Sequence, residues 1–241
     1  MNRTKQLAKR LLRKLGFDVT RYQPRTHALA KKSDLRRKLG IDLVLDVGAN
    51  IGQFAEELRR DDYRGRIVSF EPLSAAFATL QDRAQRDPDW DALNIALGSS
   101  EGVQTIHVTE ANWSSSLLPV SQLSVEAHPT TKIVASESIQ VRRLDSVLPE
   151  LQADGRKIWL KIDAQGFELE VLRGGVEALT QVSMLQLEMS FVHLYEGQPL
   201  FDEVYHWALS QGFRLGSLEG ISWHPQNGEL LWLDGVFHRV N

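Results

Sequence analysis

The 241-residue sequence predicts one α/β domain on a doubly wound, mostly parallel sheet of seven strands. Three observations carry that expectation. From residue 41 onward, short apolar runs alternate with segments of helical periodicity. The first run, Leu43–Val47, passes directly into a turn with glycines at 48 and 52. The next run, residues 66–71, ends in an acid, Glu71, about 20 residues beyond that turn.

Taken in order, strand Leu43–Val47 leads to a helix over 52–60, where Phe54, Ala55 and Leu58 share a face. Strand 66–71 leads to a helix over 73–86. A third strand covers 92–97 and stops at Gly98. The rhythm then breaks: 103–109 and 139–144 read as strands that pair as a hairpin insertion. About 30 residues separate them, including Asn112, Trp113 and the serines 114–116, and a connection of that length is expected to form a lid or substrate wall. Alternation resumes with strand 158–163, a helix over 167–179 and strand 184–188. Helix Phe201–Ser210, stopped at Gly212, a short strand at 213–215 and a last strand Leu230–Arg239 complete the sheet.

Charge is distributed unevenly. The net charge is −3, yet residues 1–38 carry thirteen Lys and Arg against Asp18 and Asp34, a net of +11. The chain therefore divides into a basic extension over 1–40 and the α/β domain over 41–241. Within the extension, residues 3–15 read as an amphipathic helix with Leu7, Ala8, Leu11, Leu12 and Leu15 on one face and six Lys and Arg on the other. Such a helix suits peripheral contact with an anionic membrane, and equally a helix packed on the domain with its charges in water. Aromatic residues are sparse there, so no nucleic acid partner is expected. Residues 17–40 read as a polar approach to the domain, broken at Pro24.

The sequence has no cysteine, which excludes disulfides, thiolate metal sites and a cysteine nucleophile, and fits a cytoplasmic, reducing setting. No apolar run of about 18 residues exists to span a membrane, and the basic start lacks the apolar stretch of a secretory signal.

The turn Gly48-Ala49-Asn50-Ile51-Gly52 selects its ligand. A dinucleotide fingerprint would place glycines at 48, 50 and 53, but Asn50 and Gln53 stand there, which argues against a nicotinamide oxidoreductase. Asp46 would repel a diphosphate and attract an ammonium group. A nucleoside with a cationic amino-acid end fits, and S-adenosylmethionine is such a ligand. Glu71 would hold its ribose, with Asp46, Gly48, Asn50 and Gly52 around the amino-acid end.

Two further strands end in acids, Asp163 and Glu188, which should face the same crevice. His193 follows near that edge. Removing a hydroxyl proton needs such a group, so Asp163, Glu188 and His193 are the candidate catalytic residues. Oxygen ligands also suit Mg²⁺, which stands as an optional second cofactor with no residue assigned as its ligand.

The segments 45–53, Phe70-Glu71-Pro72, Ala96-Leu97-Gly98, 114–117, 161–168 and Leu187-Glu188 together resemble the FkbM family of methyltransferases, over roughly residues 41–215. The resemblance implies a Rossmann-like class I fold and O-methylation dependent on S-adenosylmethionine, commonly of sugars or natural-product hydroxyls. It places Ala96 and Leu97 near the adenine. Many members have Glu where this chain has Gln165. The expected acceptor is a sugar hydroxyl in a cell-envelope glycolipid or other glycan. The alternatives are a soluble polyketide-type alcohol and a non-catalytic nucleotide-binding scaffold.

Overall fold

A computed structural model describes residues 3–240 of the chain. In chain order its elements are α1 (Arg3–Lys14), α2 (Ala28–Leu39), β1 (Leu43–Val47), α3 (Gln53–Arg60), β2 (Arg66–Phe70), α4 (Ser74–Ala84), β3 (Trp90–Leu93), β4 (Ala96–Leu97) and β5 (Gly102–Thr109). There follow α5 (Gln122–Ala127), β6 (Ile133–Arg142), α6 (Leu144–Val147), β7 (Ile158–Ile162), α7 (Glu168–Arg173), β8 (Val182–Ser190), α8 (Phe201–Ser210), β9 (Phe213–Trp223) and β10 (Leu230–Arg239).

Seven strands form one sheet in the order β3-β2-β1-β7-β8-β10-β9. The first five are mutually parallel; β10 runs antiparallel to β8, and β9 antiparallel to β10. The chain leaves β1 for β2 and β3 on one side, then crosses to β7 on the other. The gap between the carboxyl ends of β1 and β7 is thus the topological switch point, where such sheets bind ligands.

β1 is buried on both faces because alternate side chains feed two cores. Leu43, Leu45 and Val47 meet Leu144 and Val147 of α6, Leu169 and Leu172 of α7, and Val204 and Ala208 of α8. Val44 points the other way, toward Ala55 and Leu58 of α3 and Leu80 and Ala84 of α4. This is the doubly wound arrangement that the alternating pattern predicts.

The structure departs from the sequence reading in four places. The third strand ends at Leu93, because the Asn94 amide donates to the carbonyls of Glu71 and Pro72 and pulls the chain out of register. Ala96 and Leu97 then join a second, three-stranded sheet with β6 and β5. The connection between β5 and β6 is ordered by α5 and two short 3₁₀ turns, and the Tyr195 hydroxyl donates to the Ser114 carbonyl.

The helix after Gly166 is only six residues long. Gly174 and Gly175 end it where the backbone presses on Gly98 and Leu144, and Asp145 accepts from the N–H groups of Glu177 and Ala178. Strand β9 is eleven residues long rather than three. It is a half-exposed edge interrupted by bulges, so it shows no apolar run. Finally, the polar stretch 17–40 contains α2. Its Arg36 donates to the Asp61 carbonyl at 2.9 Å and its Lys32 pairs with Glu219 at 2.6 Å, contacts that only the folded chain brings together.

Helix α1 forms where expected. Arg3, Lys5, Leu7 and Ala8, which contribute to its amphipathic pattern, have side chains outside the described residues, as do residues 1, 2 and 241. Among the described residues no helix is long and apolar enough to cross a membrane.

A Cβ at position 174 would sit 1.9 Å from the Gly98 carbonyl oxygen, and backbone cannot yield as a side chain can. Gly174→Ala is expected to destabilise the domain by about 1–3 kcal/mol through overpacking, read as a lower urea midpoint. A midpoint equal to the wild type's would contradict the close approach of α7 to this turn.

Candidate functional site

The first crossover is a turn of unusual backbone. Gly48, Asn50 and Gly52 all have positive φ, at 74°, 50° and 90°. Gly48 is required for space as well: a Cβ there would lie 1.9 Å from the Asp163 carbonyl oxygen, so the turn after β1 presses on the turn after β7. Asn50 tolerates the left-handed region because its own side chain caps it, Oδ1 accepting from the Ile51 N–H at 2.7 Å. Its backbone N–H donates to Glu71 Oε2 at 2.8 Å, and the other Glu71 oxygen accepts from the Leu73 N–H at 2.9 Å. Glu71 is thereby locked at the end of β2, and burial pushes its carboxyl up to about 7 against those two donors.

A cavity of about 360 Å³ opens above this turn. Gly48, Ala49, Asn50, Glu71, Ala96 and Leu97 line one side of it. Lys161, Asp163, Gln186 and Asp234 line another, with Asn112, Trp113, Ser115 and Ser116 of the β5–β6 connection as a third wall. Trp113 is 67% exposed at that wall. The size suits a small-molecule site.

The polar floor is set by strand register. Asp46 lies opposite Ser69 on β2 and Lys161 on β7, and Lys161 opposite Gln186 on β8, so a polar row crosses four strands. Lys161 Nζ stands 3.1 Å from Asp46 and 3.5 Å from Asp163. Burial opposes its charge, but the two carboxylates overcome this and raise its pKa. Burial likewise raises the Asp46 carboxyl, with the Lys161 ammonium opposing.

Asp163 is further oriented by Gln165, whose amide donates to its Oδ1 at 2.6 Å and whose Oε1, 2.7 Å from the Tyr195 hydroxyl, shares that hydroxyl's one proton with the Ser114 carbonyl. Glu168 holds the same turn by accepting from the N–H groups of Ala164 and Gly166; burial pushes this acid up to about 7, and Asp163 adds to the shift.

The sequence-predicted residues therefore separate into groups. Gly48, Asn50, Glu71, Ala96, Leu97 and Asp163 do line the cavity. Asp46 does not: it is fully buried and paired with Lys161, which ties the ends of β1 and β7 together. Gly52 does not either. A Cβ there would lie 2.7 Å from the Trp90 ring, so its job is packing.

Glu188 stands opposite Asp234 in the β8–β10 register but beside the cavity rather than in its lining. Burial, then Asp163, Glu168 and Asp234, drive its pKa well up, with the Lys161 ammonium opposing. His193 is exposed on the segment after β8, away from the cavity lining.

Among the described residues no three acids or histidines come together as metal ligands, and Mg²⁺ gains no support. The sequence reading missed Lys161, Gln186 and Asp234. Their signal was a polar residue in the middle of an otherwise apolar strand, which is costly to bury unless partnered.

The family model for the methyltransferase FkbM domain matches residues 46–215. Among curated proteins the chain is similar to the 2-O-methyltransferase NoeI of Sinorhizobium fredii, with 27% identity over 165 residues, 65% of this chain and 66% of that protein. It is also similar to the methyltransferase sdnD of Sordaria araneosa, with 31% identity over 153 residues, 54% of this chain and 59% of that protein. The matched segment thus spans less than two thirds of either relative. Among solved structures, the methyltransferase FkbM of Methylobacillus flagellatus shares the fold with a TM-score of 0.50 at 16% identity, covering 81% of this chain and 43% of that one.

Removing Lys161 would leave Asp46 charged and buried without compensation. Lys161→Met is expected to cost about 3–5 kcal/mol by chemical denaturation, and adding Asp46→Leu to recover most of it. Equal stability of wild type and Lys161→Met would remove the pair from its structural role.

Proposed function

The chain belongs to the FkbM family of methyltransferases, and we propose that it moves a methyl group from S-adenosylmethionine to a hydroxyl of a sugar. The observation that carries this reading is one cavity with two unlike sides. On one side, Glu71 and the Asn50 turn adjoin the apolar Ala96 and Leu97, which fits a nucleoside. On the other, hydrogen-bond acceptors gather beneath an exposed tryptophan. Gln186 Oε1 is buried there with no partner, its Nε2 being engaged with Asp234 at 3.2 Å. A polyhydroxyl acceptor has the donors to satisfy it. O-transfer accords with the activity named for the 2-O-methyltransferase relative.

S-adenosylmethionine, when bound, supplies an activated methyl on a sulfonium. The residues of this chain do the rest. Glu71 accepts from ribose hydroxyls, and the turn at Gly48–Asn50 lets the nucleoside approach the backbone. Alignment of the two reactants can contribute about 7–11 kcal/mol. Asp163, positioned by Lys161 and Gln165, takes the hydroxyl proton onto a carboxylate oxygen as the new O–C bond forms. The β5–β6 connection walls the site from water, and Trp113 offers its ring to a sugar face.

Because ribose donors favour ionised Glu71, cofactor affinity should fall as pH drops through about 7, by roughly tenfold per unit below it. Calorimetry from pH 8 to 5 checks this, and Glu71→Gln should bind weakly with a flat profile. A wild-type profile as flat as the variant's would reject Glu71 as the ribose ligand.

Asp163→Asn should lower kcat by about 10²–10⁴-fold while cofactor affinity holds. Trp113→Ala should raise KM for a sugar acceptor more than it lowers kcat. Turnover with non-sugar alcohols alone, across a panel of both, would overturn the sugar reading.

A further inference from the structure

We propose that the N-terminal segment around α1 is a docking surface for an anionic lipid bilayer, and that it delivers a membrane-held acceptor into the active cavity along a groove beside α2. The segment is amphipathic, and among the described residues of its apolar side Leu12 is half-buried while Leu11, Leu15 and Phe17 are 57%, 72% and 64% exposed, with Val19 and Tyr22 exposed beyond them. Exposed apolar side chains of this kind favour a surface partner over a helix laid against the core. The exposed Lys9, Arg10, Arg13 and Lys14 stand on the same short helix, within a stretch that carries thirteen basic residues against two acidic ones. Apolar side chains beside dense positive charge match the layered chemistry of a bilayer surface, with hydrocarbon below and anionic headgroups above.

The second observation is continuity. A cavity of about 280 Å³ lies between α2 and α3, lined by Tyr22, Leu29, Ser33, Arg36 and Trp159 among others. Lys32, Phe54 and Glu57 line both this cavity and the active one. Tyr22 thus belongs at once to the exposed apolar segment and to a cavity that adjoins the active one across the side chains of Lys32, Phe54 and Glu57. A headgroup held at the membrane would enter past Tyr22 and Leu29, with Arg36 and Lys32 along its path. The surface itself does not depend on the proposed chemistry. Only the identity of the traveller, a sugar headgroup on a lipid, rests on that reading.

The test is co-sedimentation of the full chain with phosphatidylcholine vesicles, with and without phosphatidylglycerol. Wild type should pellet with the anionic vesicles and be released by high salt, since the attraction is screened. The triple variant Leu11→Glu, Leu15→Glu, Phe17→Glu should bind at least about tenfold more weakly, and Lys9→Glu with Arg10→Glu and Lys14→Glu should behave alike. None of these positions lines either cavity, so all variants should keep wild-type circular dichroism and S-adenosylmethionine affinity. Equal pelleting of wild type and variants, equal pelleting with neutral vesicles, or no pelleting would overturn the membrane proposal. So would tighter binding to an RNA oligonucleotide than to anionic vesicles, or self-association in sedimentation velocity that the triple variant abolishes. Loss of vesicle binding with cofactor affinity intact leaves the transfer reading standing. Loss of cofactor binding in wild type would fell that reading and leave the membrane result to be judged by itself.

Discussion

The buried ion pair between Asp46 and Lys161 is the constraint on which the site depends. It joins the two strands that flank the switch point, one residue from the end of each, at 3.1 Å and almost without solvent. A charge in that position costs several kcal/mol to desolvate, and the pair recovers this only because register places the partners directly opposite one another. The sheet cannot slip there without stranding a charge. The turn after β1 and the turn after β7 are held in fixed relation, close enough that only glycine fits at position 48.

That fixed relation sets the chemistry of the cavity. Lys161 faces two acids and serves both differently. It pairs with Asp46, which is shut off from solvent, and with Asp163, whose side chain is 37% exposed and which lines the cavity. Around it, Glu71, Glu168, Glu188 and Asp234 all have pKa values raised by burial. Burial thus pushes several carboxyl groups of this small region toward their neutral form, while Asp163 stands 3.5 Å from the Lys161 ammonium. Gln165 fits this pattern. Its amide donates to Asp163, where a carboxylate at the same position would repel it.

The insertion between β5 and β6 completes the site by a different route. It has almost no apolar core of its own and is tied down by hydrogen bonds to the turn after β7 and to Tyr195, among them Ser116 Oγ donating to the Gln165 carbonyl at 2.7 Å. Its anchor points are therefore the same residues that orient Asp163.

Much of this was legible in the residues. The apolar run Leu43–Val47, the glycine turn, the acid at 71 and the alternation that follows determine a doubly wound sheet and a nucleoside site, because period, turn chemistry and spacing are local properties of a chain. Asp163 could be placed at the crevice for the same reason. The roles of Asp46 and Gly52 could not, since each depends on a partner far away in sequence, Lys161 in one case and the Trp90 ring in the other. Nor could α2 or the length of β9 beyond residue 215, which lack an apolar rhythm and are held by Arg36 and Lys32 and by bulged edge pairing. A sequence by itself sets which segments are strands and which acids end them. Only the fold decides which of those acids is paired, which is buried and which stays open to the cavity, because desolvation and pairing are properties of position in space.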